Sequence, residues 1–115
     1  MTDVKLIVGG SLEEDAATFV KAWRRAEKGE GVQERALVFE SWDALAKVLT
    51  GERYRLLKHV HARPAPSIAA LARSLGRQYR RVHDDVVALE AVGLLARPEG
   101  GVYATADTLK ADIRL

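Results

Sequence analysis

The sequence predicts an α+β fold, in which a small β-α-β unit precedes a mostly helical part that closes in a hairpin. Three observations carry that prediction. The chain opens on a β-branched run stopped by two glycines, Val4-Lys5-Leu6-Ile7-Val8-Gly9-Gly10. Two apolar stripes of helical spacing, Ile68/Leu71/Ala72/Leu75 and Val82/Val86/Leu89, stand on either side of Gly76. Short extended stretches then flank Pro98-Glu99-Gly100-Gly101. A length of 115 residues suits one compact unit, or one domain with an appended half-domain, better than two independent cores.

In chain order, Val4 to Val8 reads as a strand. Ser11 caps the following helix, and Glu14 three residues on completes a capping box. Leu12, Ala16, Phe19, Val20, Trp23 and Ala26 recur at helical spacing until Gly29 and Gly31 end the segment. Ala36-Leu37-Val38-Phe39 is a second strand, and a crossover of this length lets the two strands pair in parallel. The Gly9-Gly10-Ser11 turn lacks both the Walker lysine and a Gly-x-Gly-x-x-Gly spacing, so it reads as a strand-to-helix turn, not a phosphate loop. Two strands and one helix bury too little to stand alone and must lean on the second half or on another copy.

Ser41 caps a short helix with Trp42, Leu45 and Leu49 facing inward, and Thr50-Gly51 breaks it. Glu52 to Ala62 forms the next helix, with Tyr54, Leu56, Leu57 and Val60 as candidate core. Arg63-Pro64-Ala65-Pro66 cannot continue it, because each proline removes a backbone donor and restricts its predecessor. Ser67 caps a new helix, and Leu94 to Arg97 and Val102 to Thr105 are the strands of a hairpin. The chain thus divides into residues 1–40, a β-α-β part for dimerisation or partner binding; 41–106, the helical domain with its hairpin; and a tail, 107–115. Leu109, Ala111, Ile113 and Leu115 make that tail a second candidate interface segment.

Charge is unevenly spread. Residues 1–50 hold seven Lys/Arg and nine Asp/Glu, whereas 51–115 hold eleven and seven. Between Arg53 and His83 stand eight basic residues and no acid: Arg53, Arg55, Lys58, Arg63, Arg73, Arg77, Arg80 and Arg81. A sign-segregated stretch is the footprint of a surface that neutralises phosphates. It leads into a turn with a recognisable constraint. Two helices crossing steeply over a short turn need a small residue where they touch, glycine where the first helix ends left-handed, and an apolar plug from the second. Ala72, Gly76 and Val82 occupy those places. The stretch Ser67 to Leu95 therefore reads as a helix-turn-helix whose second helix, over 77–92, enters the major groove of double-stranded DNA.

The segment from Phe39 to Arg97 resembles a group of small MarR-like DNA-binding proteins. The matching residues are Phe39, Ser41, Trp42, Ala44 and Leu45, then Ser-Ile-x-x-Leu-Ala-Arg-x-Leu-Gly-Arg over 67–77, then Tyr-Arg-Arg-Val-His-Asp-Asp-Val-x-x-Leu-Glu over 79–90. The resemblance implies a winged helix-turn-helix, with the hairpin as wing, and a transcriptional repressor. Some members of that group act as antitoxin and repressor of a toxin–antitoxin pair, which makes a cognate toxin protein an alternative partner, and protein contact alone a further one. A homodimer on an inverted-repeat operator is the expected binding form. Helix geometry assigns base contacts to Gln78, Arg80, Arg81 and His83, since residues near the start of a recognition helix reach base edges. Backbone contacts fall to Ser67, Arg73, Arg77, Tyr79 and Arg97. Tyr79 reads equally well as a rim residue of the core.

Other chemistry finds little footing. With no cysteine, disulfides and thiolate metal sites are excluded. His59 and His61 lie on different helix faces with no carboxylate at ligand spacing, so neither a metal nor another cofactor is expected. No nucleophile-plus-base pattern supports an enzyme, and Asp84 or Asp85 is better suited to orienting Arg77, Arg80 or Arg81. The longest apolar run, Val86 to Ala96, is interrupted by Glu90, so a membrane is not expected and a cytoplasmic location is.

Overall fold

A computed structural model of the protein describes residues 2–9 and 33–115. The helix expected over 11–28 lies outside them. The described residues combine four α-helices with a three-stranded and a two-stranded sheet. They group into two compact units, Met1–Ala46 with Ala106–Leu115, and Lys47–Thr105. The first of them is larger than the β-α-β part read from sequence, because it includes a third strand from the C-terminal segment.

In the first unit, β1 (Thr2–Val8) pairs in parallel with β2 (Gln33–Phe39), Thr2 opposite Gln33 and Val8 opposite Phe39. The parallel pairing expected of the two strands is present. On the other side of β1 runs β5 (Thr108–Ile113), also parallel, with Asp3 opposite Thr108 and Val8 opposite Ile113. Most of what the sequence set apart as a tail is therefore a sheet strand. Flanked on both sides, β1 has Val4, Leu6, Ile7 and Val8 buried, as a continuous apolar run in a parallel sheet requires. A reciprocal pair locks the start of the third strand: Thr2 donates its N–H to Asp107 Oδ2 at 2.8 Å, and Asp107 donates its own to the Thr2 carbonyl at 2.8 Å.

Helix α1 (Trp42–Val48) starts where Ser41 Oγ accepts the Ala44 N–H at 3.1 Å. Leu45 is buried as expected, but Trp42 is 57% exposed. Seven residues give barely two turns, and a side chain on the first of them overhangs the helix end.

The first whole helix of the second unit is α2 (Gly51–Ala62), capped by Thr50, whose side chain accepts from the Arg53 N–H. Its buried residues are Leu56, Leu57 and Val60. Tyr54, expected in the core, is exposed and has Lys58 Nζ 5.6 Å from its ring centroid. The inward stripe runs 53, 56, 57, 60, so Arg53 takes the place assigned to the tyrosine. Helix α3 (Ile68–Leu75) buries Ile68, Leu71 and Ala72, and α4 (Tyr79–Ala91) buries Val82, Val86 and Leu89. The hairpin is shorter than expected, β3 (Leu95–Ala96) against β4 (Tyr103–Ala104), antiparallel with Leu95 opposite Ala104. A 3-10 turn over Pro98–Gly100 joins the strands, with Glu99 and Gly100 at φ of 54° and 84°. Ala65, held extended between two prolines, exchanges hydrogen bonds with Val102 at 3.1 and 2.8 Å, so the hairpin gains a short third rung.

Candidate nucleic-acid interface

The pair α3 and α4 is set by Gly76. It closes α3 at φ 64°, ψ 34°, the left-handed conformation that costs an L-residue most. In that geometry the Arg77 N–H returns to the Ala72 carbonyl at 3.1 Å, satisfying carbonyls that a helix end otherwise leaves open. Ser67 Oγ accepts the Ala70 N–H at 3.0 Å and fixes the other end of α3. Three residues, Gly76 to Gln78, separate the two helices.

The turn is held from below by an ion cluster. Asp85 on α4 receives Arg53 Nε at 3.1 Å and Arg77 Nη2 at 2.8 Å, and its side chain is only 13% exposed. Arg77 Nε also reaches Glu52 at 3.3 Å, and Arg55 pairs with the same glutamate at 3.0 Å. Arg53 Nη1 donates to the carbonyls of Lys47 and Val48, both at 3.0 Å. The basic run is free of acids along the sequence but not in space, because Glu52 and Asp85, just outside its ends, fold back onto it. Of the partners expected for Asp84 or Asp85, namely Arg77, Arg80 and Arg81, Asp85 takes Arg77, eight residues back and not one helix turn away, and adds Arg53 of α2. It lies only three residues from Val82 and one from Val86, at the border of the buried stripe, and therefore meets α2 and the turn.

What remains outward is the first turn of α4 and the end of α3. Gln78 caps α4 through its backbone alone, with no side-chain cap bond and no acid in the first turn. Gln78, Arg80, Arg81 and Arg73 are exposed. Among the described residues none of these three arginines pairs with a carboxylate. Tyr79 is 54% exposed, which decides between its two readings in favour of the surface. Its ring lies 6.0 Å from that of His83, whose Nδ1 is 3.5 Å from Asp84 Oδ1.

The sequence-predicted residues thus separate into two sets. Gln78, Tyr79, Arg80, Arg81 and His83 cluster at the start of α4; Arg73 stands in the last turn of α3, and Ser67, at the other end of α3, is engaged in capping it. Arg77 and Arg97 do not join them. Arg77 is spent on Asp85 and Glu52, and Arg97 bends across its own turn to donate Nη2 to the Gly100 carbonyl at 3.1 Å, with its buried Nε finding no hydrogen-bond partner among the described residues. Two further residues belong with the first set: Asp84, given only an orienting role from sequence, and Val87, not singled out there. Counting in steps of three and four from Arg80 places Asp84 and Val87 on the side away from Val82, Val86 and Leu89. Asp84 and Val87 are 68% and 45% exposed. The same periodicity that found the core stripe would have found them.

In comparison with known proteins, residues 48–111 fit the family described as HVO_A0114. No curated protein and no solved structure matches the chain. The fitted region takes in α2 to β4 and runs on through Thr108 to Ala111 of β5. It covers more than half of the chain, and the protein belongs to the HVO_A0114 family.

Proposed function

We propose that the protein is a sequence-specific DNA-binding transcriptional repressor, that residues 41–106 form a MarR-like winged helix-turn-helix, and that it binds an inverted-repeat operator as a homodimer. The order α2, extended Ala65, α3, turn, α4, hairpin supports the winged-helix reading, since the Ala65–Val102 rung makes the hairpin the base of a wing. One observation carries the DNA reading. Of the arginines gathered around the turn, those facing inward are neutralised by Asp85 and Glu52, while Arg80 and Arg81 stand exposed at the start of α4 with no carboxylate partner among the described residues.

In this reading α4 lies in the major groove with its N-terminal turn toward the bases. Arg80 or Arg81 offers two parallel donors to guanine O6 and N7, and Gln78 offers donor and acceptor to adenine. Asp84 accepts from cytosine N4, and Val87 meets a thymine methyl. Arg73 and the open amides at the start of α4 take phosphates. Arg77 keeps the turn in shape instead of touching the backbone.

The test is a duplex titration over a salt series, with a site selected from a random pool. Arg80→Ala and Arg81→Ala should each weaken binding by about 1–3 kcal/mol if they read bases, with preference relaxed at one position. A phosphate contact should instead lower the salt slope by about 0.9. Arg77→Met should leave that slope unchanged. Binding by both Arg80→Ala and Arg81→Ala as tight as the parent's at every salt concentration sinks the groove assignment.

A further inference from the structure

We infer that the outer edge of β5 is the seam of the homodimer, two copies joining β5 to β5 in antiparallel fashion into one six-stranded sheet. The inference deepens the homodimer part of the reading above and rests on that reading for its purpose, but its evidence lies wholly in the first unit.

The sheet order is β2-β1-β5, so β5 ends the sheet among the described residues. Protein edges are normally blunted by proline, by charged side chains, by a bulge or by a strand too short to template a neighbour. The two charges on β5, Lys110 and Asp112, are of opposite sign and can pair across a two-fold seam. Thr108–Ile113 has no proline or glycine and keeps regular register with β1 over all six residues. Arg114, directly after the strand, donates its N–H to the Val8 carbonyl at 2.9 Å. Alternation along a strand then turns the amides of Leu109, Ala111 and Ile113 away from β1, toward the open side.

That parity selects the partner. In an antiparallel ladder, residues that face each other either both turn their amides across the seam or both turn them away. A two-fold axis must then pass through one residue. At Lys110 it sets lysine on lysine, and at Asp112 aspartate on aspartate, both repulsive. At Ala111 every pair is favourable. Ala111 meets its own copy in a hydrogen-bonded pair, and Leu109 meets Ile113 of the second copy twice. Lys110 meets Asp112 of the second copy twice, in the non-hydrogen-bonded positions where side chains approach closest. Leu109-Lys110-Ala111-Asp112-Ile113 is self-complementary when reversed, and a foreign peptide would need no such symmetry.

The same charges already alternate within one copy, Lys110 Nζ lying 3.0 Å from Asp3 Oδ2 and Lys5 Nζ 3.5 Å from Asp112 Oδ2. Pairing across the seam continues that alternation from one β1 to the other. Ile113, 46% exposed, gains an apolar neighbour. The opposite edge offers nothing comparable, because its charged residues, Glu34 and Arg35, are adjacent and cannot face one another under the same parity.

The test reads mass by light scattering on the full chain without DNA. The parent should run at about twice 12.6 kDa and Ala111→Pro at 12.6 kDa. Proline at 111 removes an outward amide and no bond to β1, which edge strands tolerate. The chain has no native cysteine, so a single one is a clean probe. Ala111→Cys should cross-link as a dimer with a thiol reagent spanning about 5.5 Å, the separation of a hydrogen-bonded pair. Leu109→Cys should not, its two copies standing about 13 Å apart along the strands. A monomeric parent, even one that captures an extended peptide, overturns the seam, and so does an Ala111→Pro protein that stays dimeric. If Ala111→Pro fails to fold by circular dichroism, the cross-link alone decides, its absence overturning the seam. A monomeric parent that still needs Arg80 and Arg81 for duplex binding defeats the seam and spares the DNA reading; a dimeric parent indifferent to DNA does the reverse.

Discussion

Replacing Asp85 by alanine should cost the second unit about 3 kcal/mol. Its carboxylate joins two guanidiniums at 2.8 and 3.1 Å, with side-chain exposures of 13% for Asp85, 21% for Arg53 and 22% for Arg77. An exposed ion pair contributes about 0–1 kcal/mol. Removing one partner of a fully buried pair costs about 3–5 kcal/mol, because the charge left behind has lost both water and its counterion. This cluster is about four-fifths covered, and the deletion strands two cations together, which places the cost at the lower end of the buried range. With a urea slope of roughly 1–3 kcal/mol per molar, the midpoint should fall by about 1–3 M. Far-UV circular dichroism is the right probe, since both tryptophans, Trp23 and Trp42, lie outside Lys47–Thr105. Asp85→Asn keeps an acceptor and should lose less. Glu52→Gln is the control: its carboxylate touches Arg55 and Arg77 but is 55% exposed, so its removal should cost no more than about 1 kcal/mol. A midpoint shift for Asp85→Ala no larger than that of Glu52→Gln refutes the idea that this cluster holds the turn.

Gly76→Ala should destabilise the same unit by about 1–2 kcal/mol, and Gly76→Asn by less. A Cβ at 76 meets nothing within 4 Å, so a loss would come from the positive φ alone and should appear in the same urea titration. Gly101→Ala is a steric case: its Cβ would lie 2.7 Å from Tyr103 Cε2 and 3.3 Å from the Ala65 carbonyl. The tyrosine can swing aside but the carbonyl cannot, so the Val102 amide bonded to it should exchange its hydrogen faster. Asp84→Ala should raise overall affinity for duplex while lowering discrimination at one base pair by about 1–3 kcal/mol; unchanged discrimination removes Asp84 from the reading surface.

Periodicity and caps made most of the second unit legible. The stripes Ile68/Leu71/Ala72 and Val82/Val86/Leu89, the Ser67 cap and the Gly76 stop are local signals, and local signals survive folding. Charge was less legible, because pairing is a property of space. Nothing in the order of residues says that Asp85 will meet Arg53, 32 positions away, in preference to Arg81 one turn behind it. The same gap explains Arg77, assigned to phosphate from its place in the turn and found bound to two carboxylates. Tyr54 and Trp42 misled by their apolarity, each lying off the stripe or at the end of a helix too short to bury it. The third strand was missed for a different reason. Thr108–Ile113 carries Lys110 and Asp112 among small and apolar residues, a composition that fits a tail as well as it fits an edge strand.

That strand imposes an order on the making of the molecule. The unit Lys47–Thr105 is continuous in the chain, whereas the unit around it is assembled from both flanks, with 105 positions between Thr2 and the Asp107 that locks it. The helical unit needs no residue outside Lys47–Thr105, so it can fold while β1 still lacks a neighbour on one side. Joining β1 to β5 then draws together the flanks of a finished body, not those of a loose loop, and much of the closure entropy has already been spent. Translation that stops after Thr105 would yield the helical unit whole and leave the sheet with an open, apolar β1.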